Sequence, residues 1–339
     1  MNDTKNIDPF ANEDKGLFNE SRQSGEMTQI FRNSEDVYFR TVRELQSICD
    51  TLKNGGQANG NELKNLTRQI TEILKQDERL LLGLANSPYS FIERKAGFLK
   101  EGIISSYIIV HGVNVMIYAL KVSIDIDILD SRLPYVAIAA MTSNLGLLDY
   151  SEEKLKTDSS DISKFREYSK KSDKYISKLT IDDFHLASVE QLNQISVDNP
   201  AALSRTSLRE GMYQYAMVIQ LCNEFETLTH QRKYAPIEAM KKLRDQMNNF
   251  FHPDIIKMFF DKLSIYPLGS FVKLSSLETA KVIKINENFI MRPVVLIVLD
   301  EEGIEKEKPS RVNLREKFNL YIKHPVIDEA LTEHFLYCF

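Results

Sequence analysis

The chain has 339 residues, 43% of them hydrophobic and 27% charged, with a net charge of -5. That balance excludes global disorder, a collagen-like repeat and a membrane channel, and the length suggests about two domains. A mildly acidic chain is a poor candidate for holding nucleic acid by bulk electrostatics. The three cysteines, Cys49, Cys222 and Cys338, lie far apart with no CxxC pair. This argues against a disulfide framework or a thiolate zinc site and fits a reducing compartment.

The first residues carry neither a basic region nor an apolar one, so no signal peptide is expected. Residues 1–35 are polar and read as a disordered tail. From Asp36 to Leu52 the apolar residues Val37, Phe39, Val42, Leu45, Ile48 and Leu52 recur at helical spacing. NGGQANGNE is a break. A second helix follows with Leu63, Leu66, Ile70, Ile73, Leu74, Leu80 and Leu81, closing a helical region over 36–88 at Ser87-Pro88. Helical patterns resume at Phe91 to Leu99 and at Gly102 to Val122. The most apolar long stretch runs from Gly102 to Ile124, but Ser105, Ser106, His111, Asn114 and Lys121 interrupt it. A buried helix in a cytoplasmic protein is expected rather than a membrane span.

Pro134 is placed to open the next helix. Asp161 reads as an N-cap, and Ser207 with Glu210 has capping-box spacing ahead of Tyr215, Val218, Ile219, Cys222 and Phe225. Pro236 and Pro253 can each stand at the first turn of a helix. After Pro267 the period changes. FVKLS (271–275), TAKVIKIN (279–286), RPVVLIVLD (292–300) and NLYIKHPV (319–326) read as strands. The charged run EEGIEKEKPSR (301–311) reads as a hairpin tip or loop. The lysines around Lys154 and between Lys170 and Lys178 read as a solvated face. The expected fold is mainly α: residues 89–266 form a helical domain, and 267–339 form a small β-rich appendage.

Two stretches carry a family resemblance. One is YIIVHGVNVMIYAL (107–120) with VAIAAMTSNLGLLDY (136–150). The other is MVIQLCNEFETLTHQRKY (217–234), leading into FFHPDIIKMFF and YPLGSFVKLS. Together they resemble the HD-GYP family, whose helices carry H-x-x-N-V, then A-A-x-x-H-D-I-G-K, then A-D-x-Y-D-A-L-T-x-x-R-x-Y. The resemblance implies an HD-domain helical bundle. Active members use two or three iron or manganese ions to hydrolyse cyclic di-GMP, because bridging metals generate hydroxide and neutralise phosphate charge.

Position by position the metal cage is lost. His111 stands at the first ligand histidine, but the His-Asp pair falls on Ser143 and Asn144. The family's lysine falls on Leu147, and a further ligand histidine falls on Ser169 or Lys171. The paired histidines fall near Ser188 and Val189, and NQISVDNPAAL (193–203) replaces the GYP loop. The last aspartate falls on Asn223. Neutral hydroxyl and amide oxygens cannot balance two divalent cations, so no metal cofactor is expected. His185 and His230 lie off register.

Two readings stay open for His111: a core histidine or a residual ligand contact. Ser143, Asn144 and Asn223 would converge with it as a polar core network or as a small-molecule pocket. Arg232 is the phosphate-binding candidate, or the partner of a carboxylate such as Glu226 or Glu238. No P-loop, G-x-G-x-x-G, H-E-x-x-H or G-x-S-x-G stands in the sequence. The expected function is that of a catalytically inactive signalling or scaffold protein acting on a protein partner. A cyclic di-GMP effector is the second reading, and an active metal-dependent phosphodiesterase the third.

Overall fold

A computed structural model of the protein describes residues 13–99, 108–158, 167, 170–198, 211–231, 233–247, 253–286 and 288–339. The first helix, α1, runs from Glu13 to Lys53. Its buried residues Val37, Tyr38, Thr41, Val42, Leu45, Ile48, Cys49 and Leu52 follow the expected helical spacing. The helix starts well before Asp36, within the segment whose polarity suggests a disordered tail. Tertiary contacts account for its last part. Ser34 is buried, and the Phe31 ring packs edge-on against Phe339 at 5.7 Å, with Arg79 above it at 5.4 Å. Both partners are distant in sequence, which is why local composition misses them.

A short strand, β1 (Ala58–Asn59), follows, then α2 (Asn61–Gln76), α3 (Arg79–Ala85) and α4 (Tyr89–Ala96). The single helix expected from Leu63 to Leu81 is therefore two. Asp77 adopts an extended backbone, and its carboxylate takes the Arg79 backbone N–H at 3.1 Å and the Arg79 Nε at 2.9 Å. An aspartate satisfied in this way competes with helix continuation.

The central pair is α5 (His111–Asp125) and α6 (Leu133–Thr142). Residues 111–120 are all buried, and Pro134 lies in the first turn of α6 as expected. The helices touch closely at Gly112, where an added Cβ would stand 3.0 Å from the Met141 carbonyl oxygen. The segment Ile108–Asp125 is apolar and long enough to cross a membrane, but 83% of it is buried inside the protein. It serves as a core helix, and the described residues give no clear membrane span.

A 3-10 turn (Leu145–Asp149), α7 (Glu152–Asp158), α8 (Asp173–Ile176), β2 (Leu179–Thr180) and α9 (Leu186–Asp198) come next. β2 pairs in parallel with β1, tying this region back to the N-terminal helices. Then come α10 (Gly211–Glu226), a π turn (Thr227–Gln231), α11 (Pro236–Met247) and α12 (Pro253–Leu263). Pro236 and Pro253 open their helices as expected. The expected caps at Asp161 and at Ser207–Glu210 lie outside the described residues.

Five strands close the fold: β3 (Phe271–Leu274), β4 (Thr279–Lys284), β5 (Val294–Leu299), β6 (Glu305–Asn313) and β7 (Ile322–Val326). The sheet order is β6-β5-β4-β3-β7, with every pair antiparallel. Four strands were expected; β6 was expected as a hairpin tip or loop. It is an edge strand with charged side chains and Pro309, and edges tolerate both. No alternation of apolar residues marks it, because neither of its faces is deeply buried.

One sheet face joins the helical core through Val272, Leu274, Ala280, Val282, Val295 and Ile297. The other carries Phe271 and Val298 under Phe335, which follows the last helix, α13 (Glu329–His334). At the junction, Gly269 has φ +86, and a Cβ there would meet Gly83 Cα at 3.0 Å. The Asn86 amide donates to the Leu268 carbonyl at 3.0 Å. Lys281 is buried and donates to the carbonyls of Phe335 and Leu336 at 2.8 and 2.7 Å. It fastens the last turn of the chain to the sheet.

Candidate functional site

α5 and α10 bring His111 and Asn223 together. The His111 Nε2 lies 2.8 Å from Asn223 Oδ1, and its Nδ1 is bonded to the Glu226 carboxylate. His111 and Asn114 are one turn apart on α5, and the Asn114 amide also donates to Glu226, at 3.1 Å. The Tyr89 hydroxyl donates to Glu226 at 2.8 Å. The Tyr38 hydroxyl donates to Asn114 Oδ1 at 2.8 Å. His230, on the π turn, sets its Nδ1 3.5 Å from the same carboxylate, and its ring stacks on Tyr89 at 5.2 Å. The side chains of His111 and Glu226 have no exposed surface.

Electrostatics follow from this closure. Burial alone would lower the His111 pKa, but the adjoining Glu226 and the acceptor on Asn223 raise it above its usual value. Burial alone would raise the Glu226 pKa, but His111, His230 and the Tyr89 hydroxyl hold it well below the usual carboxylate range. The upward shift of the His111 pKa favours its imidazolium form, in which both ring nitrogens donate and no lone pair is left for a cation. The polar set around His111 is one carboxylate, two amides, two phenols and the His230 ring. That set suits a charged ion pair better than a bridged metal pair, and the implied iron or manganese does not fit it. Among the described residues, no three His, Cys, Asp or Glu side chains group as a metal site.

Ser143 belongs to a different set of bonds. Its hydroxyl donates to the Ala140 carbonyl at 3.0 Å, and its own carbonyl accepts from the Ser172 hydroxyl at 2.8 Å. Ser172 in turn accepts from the Gly146 N–H at 2.9 Å. Asn144 is buried at the start of the 3-10 turn. Ser143, at one position of the family's His-Asp pair, thus ties the end of α6 to Ser172, just before α8. Arg232 lies outside the described residues, as does Ser169.

Sequence reasoning missed Glu226 as the hub and named it only as a possible partner of Arg232. A signal was present: Asn223, Glu226 and His230 fall at i, i+3 and i+7, on one helical face. Tyr38 and Tyr89 carried none, since α1 and α4 reach the site only through the tertiary fold. Tyr89 and His230 also line a cavity of about 350 Å³ between the helical body and the β unit, with Lys233, Tyr234, Phe271 and Asp328.

The class these features define is a helical body around a sealed His–Glu pair, capped by an antiparallel β unit. Residues 271–334 match the family described as a KOW domain associated with HD domain. The match spans β3 through α13, and the family's description associates this kind of β unit with an HD domain. No curated protein and no solved structure matches the chain.

Proposed function

We propose that this protein is a catalytically inactive, HD-GYP-like signalling or scaffold protein that acts by binding a protein partner. The observation that supports it most is the engagement of both His111 ring nitrogens, by Glu226 and Asn223. The one ligand histidine kept from the family motif is committed to the core. Ser143 is likewise committed to backbone. The scaffold keeps its buried helices, and what remains to a scaffold without its chemistry is binding. Metal analysis and a cyclic di-GMP hydrolysis assay test the reading. Iron and manganese well below one per chain and no turnover are expected. Two tightly bound ions per chain with turnover would overturn it.

A second reading, a nucleotide-binding effector, draws support from the cavity beside Tyr89 and His230. Its volume is within the range of small-ligand sites, and its lining includes Tyr89, Tyr234 and Lys233. Calorimetry with cyclic di-GMP separates the two readings.

A further inference from the structure

The β unit has two unlike ends. At one, the turn before β5 carries Phe289, Met291 and Arg292, and the segment after β6 carries Arg315, Glu316, Lys317 and Phe318, with the Glu316 carboxylate accepting from the Asn313 amide at 2.5 Å. Phe289, Met291 and Phe318 are 45%, 57% and 79% exposed. The Arg292 guanidinium donates to the carbonyls of Leu314 and Leu320 at 3.0 and 3.3 Å, which holds the two segments together. The Arg315 guanidinium lies 4.6 Å from the centre of the Phe289 ring. At the other end, the β5–β6 turn reads Asp300-Glu301-Glu302-Gly303-Ile304. The Asp300 carboxylate folds this turn by accepting the N–H groups of Glu302 and Ile304 at 3.1 and 2.8 Å. Ile304 is 63% exposed, and Glu301 and Glu302 point no charge at a cation among the described residues. β5 spans six residues, so roughly 20 Å separates the ends.

Each end supplies what the other lacks: exposed rings beside cations at one, an exposed aliphatic side chain beside acids at the other. Exposed apolar surface of this kind marks an interaction site. A second copy of this chain laid antiparallel along β6 satisfies both ends at once, because a two-fold axis places each acidic tip on the other copy's aromatic and basic end. That contact closes on itself. Charges along β6 agree with it. Glu307 and Arg311 are exposed and flank Pro309 symmetrically, so each faces the opposite sign across such an axis. Pro309 offers no N–H at the centre, so side chains rather than a continuous sheet would make the contact.

We infer that the chain forms a two-fold dimer through its β unit, with the Glu301–Ile304 tip of each copy seated on the Phe289, Arg315 and Phe318 surface of the other. The inference deepens the protein-binding reading by naming a partner, and its test is independent of metal content and turnover. Sedimentation equilibrium of the full chain at low salt is expected to show a dimer, weakened by about 0.5 M salt. Arg315→Glu with Lys317→Glu, and separately Glu301→Lys with Glu302→Lys, are expected to raise the dissociation constant about tenfold or more. These positions are exposed, and circular dichroism confirms that each variant is folded. An equimolar mixture of the two variants is expected to form a heterodimer. A monomer at about 100 μM wild-type chain, or reversal variants as dimeric as wild type, or a mixture that fails to associate, would each overturn the inference.

Discussion

Glu226→Gln probes the sealed pair most sharply. The substitution keeps the size of the side chain and removes its charge. In the native protein the carboxylate accepts from His111, Tyr89 and Asn114 and faces His230 at 3.5 Å. A glutamine amide must turn its NH2 toward one of those donors, and His111 loses the charge that keeps it protonated. Breaking a fully buried ion pair from one side costs about 3–5 kcal/mol. His111 can shed its proton, since its burial favours the neutral ring, so the lower part of that range, about 3 kcal/mol, is expected. Urea titration at pH 6 measures it as a fall in midpoint with an unchanged slope.

The pH dependence has a fixed sign. Glu226 is depressed below its usual value of 4.5, so its contribution is present above that pH and lost as pH falls through the folded value. His111 is raised above its usual 6.5, so its contribution is complete below that pH and lost as pH rises through the folded value. The gap between wild type and Glu226→Gln is therefore widest near pH 4.5–6.5 and narrows on both sides. A variant within about 0.5 kcal/mol of wild type at pH 6, the size of an ordinary surface substitution, or a gap that ignores pH, would refute the reasoning.

Other positions give independent tests. Replacing His111 and Glu226 together by Leu and Met is expected to cost less than the sum of the single changes, since no buried charge is left alone; an additive result in the same urea assay would count against the pair. Burial pushes the Lys281 pKa down to about 7 from 10.5. Between those values the unfolded chain binds more protons, so wild-type stability should rise with pH relative to Lys281→Met, and parallel denaturation curves at pH 7 and 9.5 check this. Gly112→Ala pushes a methyl to 3.0 Å from the Met141 carbonyl oxygen and should destabilise by about 1–3 kcal/mol in thermal unfolding. Calorimetry with cyclic di-GMP at about 100 μM should show no binding; binding that Lys233→Ala weakens would move the function to the effector reading.

Periodicity made most of the architecture legible before any coordinates. The α5 and α6 patterns, the prolines at 236 and 253 and four of the sheet strands were readable because burial imposes a repeat of 3.6 or 2 on one face. β6 was not, because an exposed edge strand has no buried face to impose a repeat. The N-terminal part of α1 was hidden for a related reason. Its polar composition suggests disorder, while Phe31 packs on Phe339 from the opposite end of the chain.

At the site, motif spacing identified His111 and Asn223, which do meet. It also predicted that Ser143 and Asn144 would join them, yet the Ser143 hydroxyl turns back onto its own helix. A serine in a last helical turn has a backbone carbonyl within reach, and that local bond competes with any partner across the core. Tyr38 and Tyr89 entered the site from helices that no local pattern connects to it.

The state of the His111 ring tests the account's central claim most directly. In protein labelled with ¹⁵N at histidine, the His111 signals are assigned by their loss in His111→Gln, and the two ring nitrogens are read at pH 7 before and after addition of zinc. The account predicts two protonated nitrogens, unmoved by the metal, because Glu226 and Asn223 hold them both. An unprotonated ring nitrogen that shifts on adding zinc would contradict it.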